Sequence, residues 1–145
     1  MGIRRAVIKD AIAITKLLNQ LGYPGTGVFL INKFRTINEN PNAEMIVYER
    51  DGEVVGFMAL DLIVQIGLAG DFARISYFVI DASVRNTGIG TVMEEYCTKW
   101  AGDRMCDRIE VHCSDNRIGA HAFYRAHGYS ESPKYFIKEV RYQIR

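Results

Sequence analysis

Residues 79–96 read VIDASVRNTGIGTVMEEY: the end of an apolar run, then Arg85, Gly88 and Gly90, then a helical pattern. How this passage is read decides the fold, because it lies where a strand hands over to a helix. Upstream, "ARISYFVI" is strand-like; downstream, Ile89, Val92, Met93, Tyr96 and Trp100 share one helical face up to Gly102. The first turn of a helix leaves backbone N–H groups unpaired, and the aligned peptide dipoles put partial positive charge there. A phosphate satisfies both needs, glycines let the backbone come close, and Arg85 adds a forked cationic donor. A glycine turn with a solvated arginine fits the same six residues, 85–90, so the rest of the chain must decide.

Working outward, "IRRAV" reads as a first strand, followed by Ile14, Leu17, Leu18 and Leu21 at helical spacing until Gly22 stops the pattern. A loop, "GYPGTG", precedes a second helical stretch, "VFLINKFRTINEN", which ends before Pro41. "EMIVYER" and "EVVGFMALDLIV" flank Asp51-Gly52, a dipeptide favoured in tight hairpins, and form an antiparallel pair. After the long helix, "RIEVHC" alternates like a strand. Asn116 caps a further helix to about His127, with Gly128 as its stop, and "YFIKEVRY" closes the chain as a last strand. Strands alternating with helices after an initial hairpin indicate an α/β layer fold with a mixed sheet.

The 145 residues carry no repeat, low-complexity tract or linker, so one domain over residues 1–145 is expected. Charged residues are 24% and apolar ones 48%, a globular composition. The net charge of +1 speaks against a nucleic-acid partner, whose phosphates demand a basic excess. Asp10 and Lys16 interrupt the first apolar run, which excludes a signal peptide or membrane span there, and Ala6 stands where myristoylation needs Ser or Thr. Cys97, Cys106 and Cys113 form neither a disulfide framework nor a zinc motif, and three free thiols suit a reducing cytoplasm. His112 and Cys113 are adjacent on a strand and point to opposite faces, while His121 and His127 lie six apart on one helix; no metal site is expected.

The passage lacks a Gly-Lys-Ser/Thr ending, and no Gly-x-Gly-x-x-Gly follows the first strand, which removes a kinase-like loop and a dinucleotide fold. What it holds is Arg-x-x-Gly-x-Gly. Downstream, "NRIGAHAFYRAHGY" places Asn116, Ala120, Phe123, Tyr124, Gly128 and Tyr129 in the pattern Asn-x-x-x-Ala-x-x-Phe-Tyr-x-x-x-Gly-aromatic. Together these resemble the GNAT superfamily of N-acetyltransferases over essentially the whole chain. The "LGYP" loop and the closing "YFIKEV" are similar to a subgroup that includes aminoalkylphosphonate N-acetyltransferases.

The resemblance implies about six to seven mixed strands flanked by four helices, and acetyl-CoA as donor in a cleft between "ARISYFVI" and "RIEVHC". It implies that a bulge splays these strands and that the pantetheine arm pairs with backbone groups of Phe78, Val79 and Ile80. The pyrophosphate then rests on amides of Arg85, Asn86, Thr87, Gly88, Ile89, Gly90 and Thr91, with Asn116 and Phe123 at the pantetheine arm and helix. A neutral primary amine of a small molecule or peptide attacks the thioester, an amide near Val79 meets the developing oxyanion, and Tyr124 faces the departing sulfur as general acid. Many relatives carry a glutamate in the cofactor strand; this strand offers Arg74, Ser76 and Tyr77 instead. Asp61, Asp71 and His112 are the remaining base candidates, and Tyr23, Phe29, Lys33 and Arg35 are candidates to line the acceptor. Homodimers are common among relatives. The missing glutamate also suits a non-catalytic acetyl-CoA sensor, the alternative to the enzyme.

Overall fold

The computed structural model describes residues 2–113, 118–132 and 135–142. Two compact units divide the chain, Met1–His112 and Cys113–Arg145.

The first unit is a five-stranded sheet in the order β1-β2-β3-β4-β5. β1 (Gly2–Arg5), β2 (Ala43–Arg50), β3 (Glu53–Ile63) and β4 (Asp71–Ile80) run antiparallel to their neighbours, and β5 (Cys106–Val111) lies parallel to β4. The β2–β3 hairpin turns on Asp51-Gly52 with φ of 53° and 78°, both left-handed as a two-residue turn of this hand requires. Helices α1 (Ala11–Leu21) and α2 (Leu30–Glu39) precede the hairpin, and α3 (Ile89–Asp103) links β4 to β5.

Alternation along the strands sorts the core into two layers. Met45, Val47, Phe57, Ala59 and Val79 cluster with Ile14, Leu17 and Leu18 of α1 and Phe34 of α2. Their neighbours Ile46, Met58 and Leu60, each at most 1% exposed, point the other way, toward the layer of α3. Gly56 belongs to this second face: a Cβ there would come within 2.8 Å of Met93 Sδ on α3 and 3.2 Å of Ile80 Cδ1. Fully burying each such side chain is worth about 1.5–3 kcal/mol, which is why both faces of the sheet need helices.

β1 is fastened by charge. The Arg4 guanidinium donates to both carboxylate oxygens of buried Asp10, at 2.8 and 2.9 Å, and to Glu49 of β2 at 3.0 Å. Asp10 also accepts from the Val7 amide at 2.8 Å.

In the second unit, α4 (Ile118–Ala126) ends on Gly128 at φ 90°, with Tyr129 N–H donating to Tyr124 O and Gly128 N–H to Arg125 O. This glycine stop is the one that also ends α1, where Gly22 has φ 107°, Tyr23 N–H donates to Leu18 O and Gly22 N–H to Asn19 O.

Two expectations need correction. Residues 135–142 form no strand, and Phe136, Ile137, Val140 and Tyr142 are exposed. Tyr135, Phe136 and Ile137 are consecutive, so no clean period of two sets one face apart, and apolar residues make a strand only with a ladder partner. The described residues therefore hold five strands, not six or seven. The strand expected as "RIEVHC" starts earlier, at Cys106, and stops at Val111, which leaves His112 one residue beyond it.

Candidate functional site

The geometry is set by one irregularity in β4. Leu60 of β3 pairs with Ile75 and Ala59 pairs with Tyr77, so Ser76 is an extra residue, a bulge. At the same point the parallel ladder with β5 ends: it runs from Asp71↔Cys106 to Ile75↔Val111, whereas β4 continues against β3 as far as Gly56↔Ile80. The two central strands part at the bulge. Asp81 N–H donates to Val55 O of β3 at 2.8 Å. Alternation back from there aims the amides of Val79 and Tyr77 at β3 and those of Phe78 and Ile80 at the side where β5 has left. Of the three residues expected to offer backbone groups, Phe78 and Ile80 have them on that side, while Val79 sits opposite Phe57 with its side chain buried.

The chain leaves β4 through a short 3-10 turn, Ala82–Val84. Asp81 Oδ1 accepts from both the amide and the hydroxyl of Ser83 at 2.9 Å, and this capping, led by the amide, lowers the Asp81 pKa below the ordinary carboxylate range. Gln20 at the end of α1 accepts from the Ala82 amide at 3.0 Å, which ties the turn to the helix layer. Asn86 (φ 63°) and Gly88 (φ 87°) then take left-handed conformations, and α3 starts at Ile89, whose side chain is buried. The first helical donor is Val92, bonded to Gly88 O at 3.2 Å, so the amides of Ile89 and Gly90 belong to the opening turn. Among the described residues, no atom beyond its chain neighbours lies within 4 Å of where a Gly88 Cβ would stand. Arg85 is exposed, its Nε 3.4 Å from Ile80 O. Thr87 donates to Val84 O. Bulge, parted strands, glycine turn and helix start thus lie in sequence within one unit, and the space at Gly88 suits an anionic group on the helix end.

Phe123 and Tyr124 lie in the second unit, on α4. Their rings meet edge-on at 5.4 Å, and Tyr124 also packs on Tyr129 at 5.2 Å, the apolar contact that accompanies this helix ending. His127 Nδ1 lies 2.8 Å from Phe123 O. Asn116 falls outside the described residues.

Of the acceptor candidates, Tyr23 packs edge-on against Tyr77 at 5.2 Å, Lys33 Nζ lies 5.9 Å from the Phe29 ring, and Arg35 is exposed on α2. Of the base candidates, Asp61 on β3 accepts from the Ser76 hydroxyl, and Asp71 opens β4 opposite Cys106. Burial, then Tyr23, then Asp61 raise the pKa of the Tyr77 phenol. The resemblance implies a bulge without placing it at Ser76 and gives Tyr77 no role, although a signal is present: Ala73 and Ile75 keep a period of two, but the next apolar residues on their face are Phe78 and Ile80. Among the described residues, no three His, Cys, Asp or Glu side chains gather as a metal set, and no helix is long and apolar enough to cross a membrane.

Comparison with known proteins gives a consistent picture. The model of the acetyltransferase (GNAT) family matches residues 14–129. The fold is similar to that of glucosamine-6-phosphate N-acetyltransferase from Arabidopsis thaliana, with TM-score 0.82 and 21% identity over 96% of this chain and 97% of that one. It is similar to an aminoglycoside 6'-N-acetyltransferase from Acinetobacter haemolyticus, with TM-score 0.82 and 16% identity over 97% and 100%. A transcriptional regulator from Bacillus halodurans C-125 shares the fold at TM-score 0.85 and 21% identity over 95% and 98%. No curated protein matches the chain by sequence.

Proposed function

Because the chain belongs to the acetyltransferase (GNAT) family, we propose that it is an N-acetyltransferase, one domain over residues 1–145, moving the acetyl group of acetyl-CoA to a primary amine of a small molecule or peptide. The observation that carries this is the parting of β4 from β5 at the Ser76 bulge, directly upstream of the glycine-opened start of α3. Acetyl-CoA supplies the activated acetyl group; everything else is asked of the chain.

Phe78 and Ile80 offer extended backbone on the parted side for an amide-bearing arm. Amides from Arg85 to Thr91, with the Arg85 guanidinium, hold the pyrophosphate by dipole and charge. An amide near Val79 stabilises charge on the carbonyl oxygen, where a fixed donor counts most. On the family motif, Tyr124 is the donor assigned to the departing sulfur, with Phe123 and Asn116 as the accompanying motif residues. Small-molecule acceptors gain support from the two structural neighbours whose names specify a sugar phosphate and an aminoglycoside. The free thiols Cys97 and Cys106 suit a reducing cytoplasm.

Release of the coenzyme A thiol from acetyl-CoA, followed with a panel of amines, tests this. Tyr124→Phe is expected to lower kcat by about ten- to a hundredfold while leaving acetyl-CoA affinity within twofold. Equal turnover by both proteins removes Tyr124 from the reaction. Binding of acetyl-CoA without transfer to any amine supports a sensor instead.

A further inference from the structure

A set of polar side chains beside the bulge is left unused by the acetyl-CoA site. The bulge sets Ser76 and Tyr77 on the face of Asp61 of β3: the Ser76 hydroxyl donates to Asp61 Oδ2, and burial, then Tyr23, then Asp61 raise the pKa of the Tyr77 phenol. Tyr23 closes the other side through its edge-on contact with Tyr77. Arg74, the register partner of Asp61, turns to Glu110 of β5 with Nη2 to Oε1 at 3.2 Å. On β2 the register partner of Asp61 is Ala43, which brings no charge. Among the described residues, the Asp61 carboxylate thus has the Ser76 hydroxyl in contact, the Tyr77 phenol near it with Tyr23 beyond, and as register partner an arginine bonded to another acid.

We propose that the Asp61–Ser76 pair is the amine site of this chain: the carboxylate holds the acceptor's ammonium and takes its proton through the Ser76 hydroxyl. This rests on the acetyl-transfer function proposed above. Position supports it, since Ser76 is the residue at which β4 leaves the β5 ladder. Chemistry supports it too, since a carboxylate attracts an ammonium by charge and the Ser76 hydroxyl bonded to it gives the proton a path. Ser76 Oγ takes a proton from the ammonium while its own passes to Asp61, which becomes the neutral acid. The nitrogen lone pair so released bonds to the acetyl carbon and the C–S bond breaks with its electrons on sulfur. The thiolate takes its proton from Tyr124, the second nitrogen proton restores the phenol, and Asp61 returns its proton to solvent.

The test uses the full chain, Asp61→Asn and Ser76→Ala, with methylamine, tyramine, spermidine and glucosamine 6-phosphate as acceptors. For the best acceptor, Asp61→Asn is expected to lower kcat/KM at about pH 7.5 by roughly a hundredfold and Ser76→Ala by roughly tenfold. The rate of either variant should climb about tenfold per pH unit as free amine accumulates. Calorimetry of the same amine on the coenzyme A complex supplies a readout apart from turnover: affinity should fall at least about tenfold in Asp61→Asn, with acetyl-CoA binding unchanged. If Asp61→Asn does not fold, the pH profile of Ser76→Ala decides. Activity within threefold of wild type in both variants, with unchanged amine affinity, overturns the role of the pair and leaves acetyl transfer standing. A wild type that binds acetyl-CoA but acetylates none of the four amines overturns both.

Discussion

Gly88→Glu separates the stability of the glycine turn from its proposed work. At φ 87° an L residue pays left-handed strain of about 1–2 kcal/mol, and none of the described residues beyond its chain neighbours comes within 4 Å of the new Cβ to add a clash. A carboxylate at the start of α3 recovers about 0.3–1 kcal/mol from the helix dipole. The net loss is about 1 kcal/mol, which for a chain of this size lowers Tm by about 2–5 °C. Acetyl-CoA at a hundred times its Kd should raise the wild-type Tm by about 5–10 °C, the equivalent of about 2.7 kcal/mol. A glutamate about 5 Å from a pyrophosphate meets about 3 kcal/mol of repulsion per charge pair at an effective dielectric constant near 20, so affinity falls at least about a hundredfold. The ligand-induced shift then shrinks to about 1 °C. Thermal unfolding with and without acetyl-CoA reads both numbers. Gly88→Asn, a residue that tolerates the left-handed region and brings no charge, should keep most of the shift. A full acetyl-CoA shift in Gly88→Glu would refute the placement of the pyrophosphate on this helix end.

Asp10 predicts acid sensitivity. The Arg4 hydrogen bonds hold its carboxyl below the usual range, so its stabilisation is present above about pH 4 and lost as pH falls through the depressed folded value. Asp10→Asn should cost about 2–3 kcal/mol at pH 7 in urea unfolding, since Arg4 keeps Glu49, and should flatten the decline of stability in acid; an unchanged slope refutes the linkage. Two glycines should respond oppositely to alanine. At Gly70 a Cβ would stand 2.6 Å from Met105 O and 2.7 Å from Asp107 Oδ1, which costs about 1–3 kcal/mol, whereas in α3 Gly102 has open space and gains about 0.5–1 kcal/mol. Equal midpoints for the two variants would contradict this.

What the sequence disclosed was local chemistry with a mechanism. Asp51-Gly52 and the stops at Gly22 and Gly128 are all left-handed in the structure, because only those residue types take that conformation cheaply. The Arg-x-x-Gly-x-Gly passage is a turn into a helix, and the family it resembles is the family it belongs to. Features that depend on pairing were harder to see. A bulge is defined by the partner strand, so Ser76 looked like one more residue of a run until β3 was laid beside it. The Tyr23–Tyr77 contact joins residues far apart in sequence. For "YFIKEVRY", composition favoured a strand, but composition does not supply a neighbour to bond with.

The extra residue in β4 also acts as a phase slip. Before it, odd-numbered positions such as Ala73 and Ile75 share a face with Leu60 and Leu62; after it, even-numbered Phe78 and Ile80 take over opposite Met58 and Gly56. The two halves of the strand therefore obey opposite substitution rules, though they are joined by a single peptide. Deleting Ser76 would realign the ladder with every remaining residue of β4 keeping its partner and its face, so the cost would fall on the parting from β5 rather than on the two core layers. A loss elsewhere in β4 would instead move one flank by a position and turn its apolar residues out of their layer, which makes the bulge the place where the strand can lose a residue without disturbing its faces.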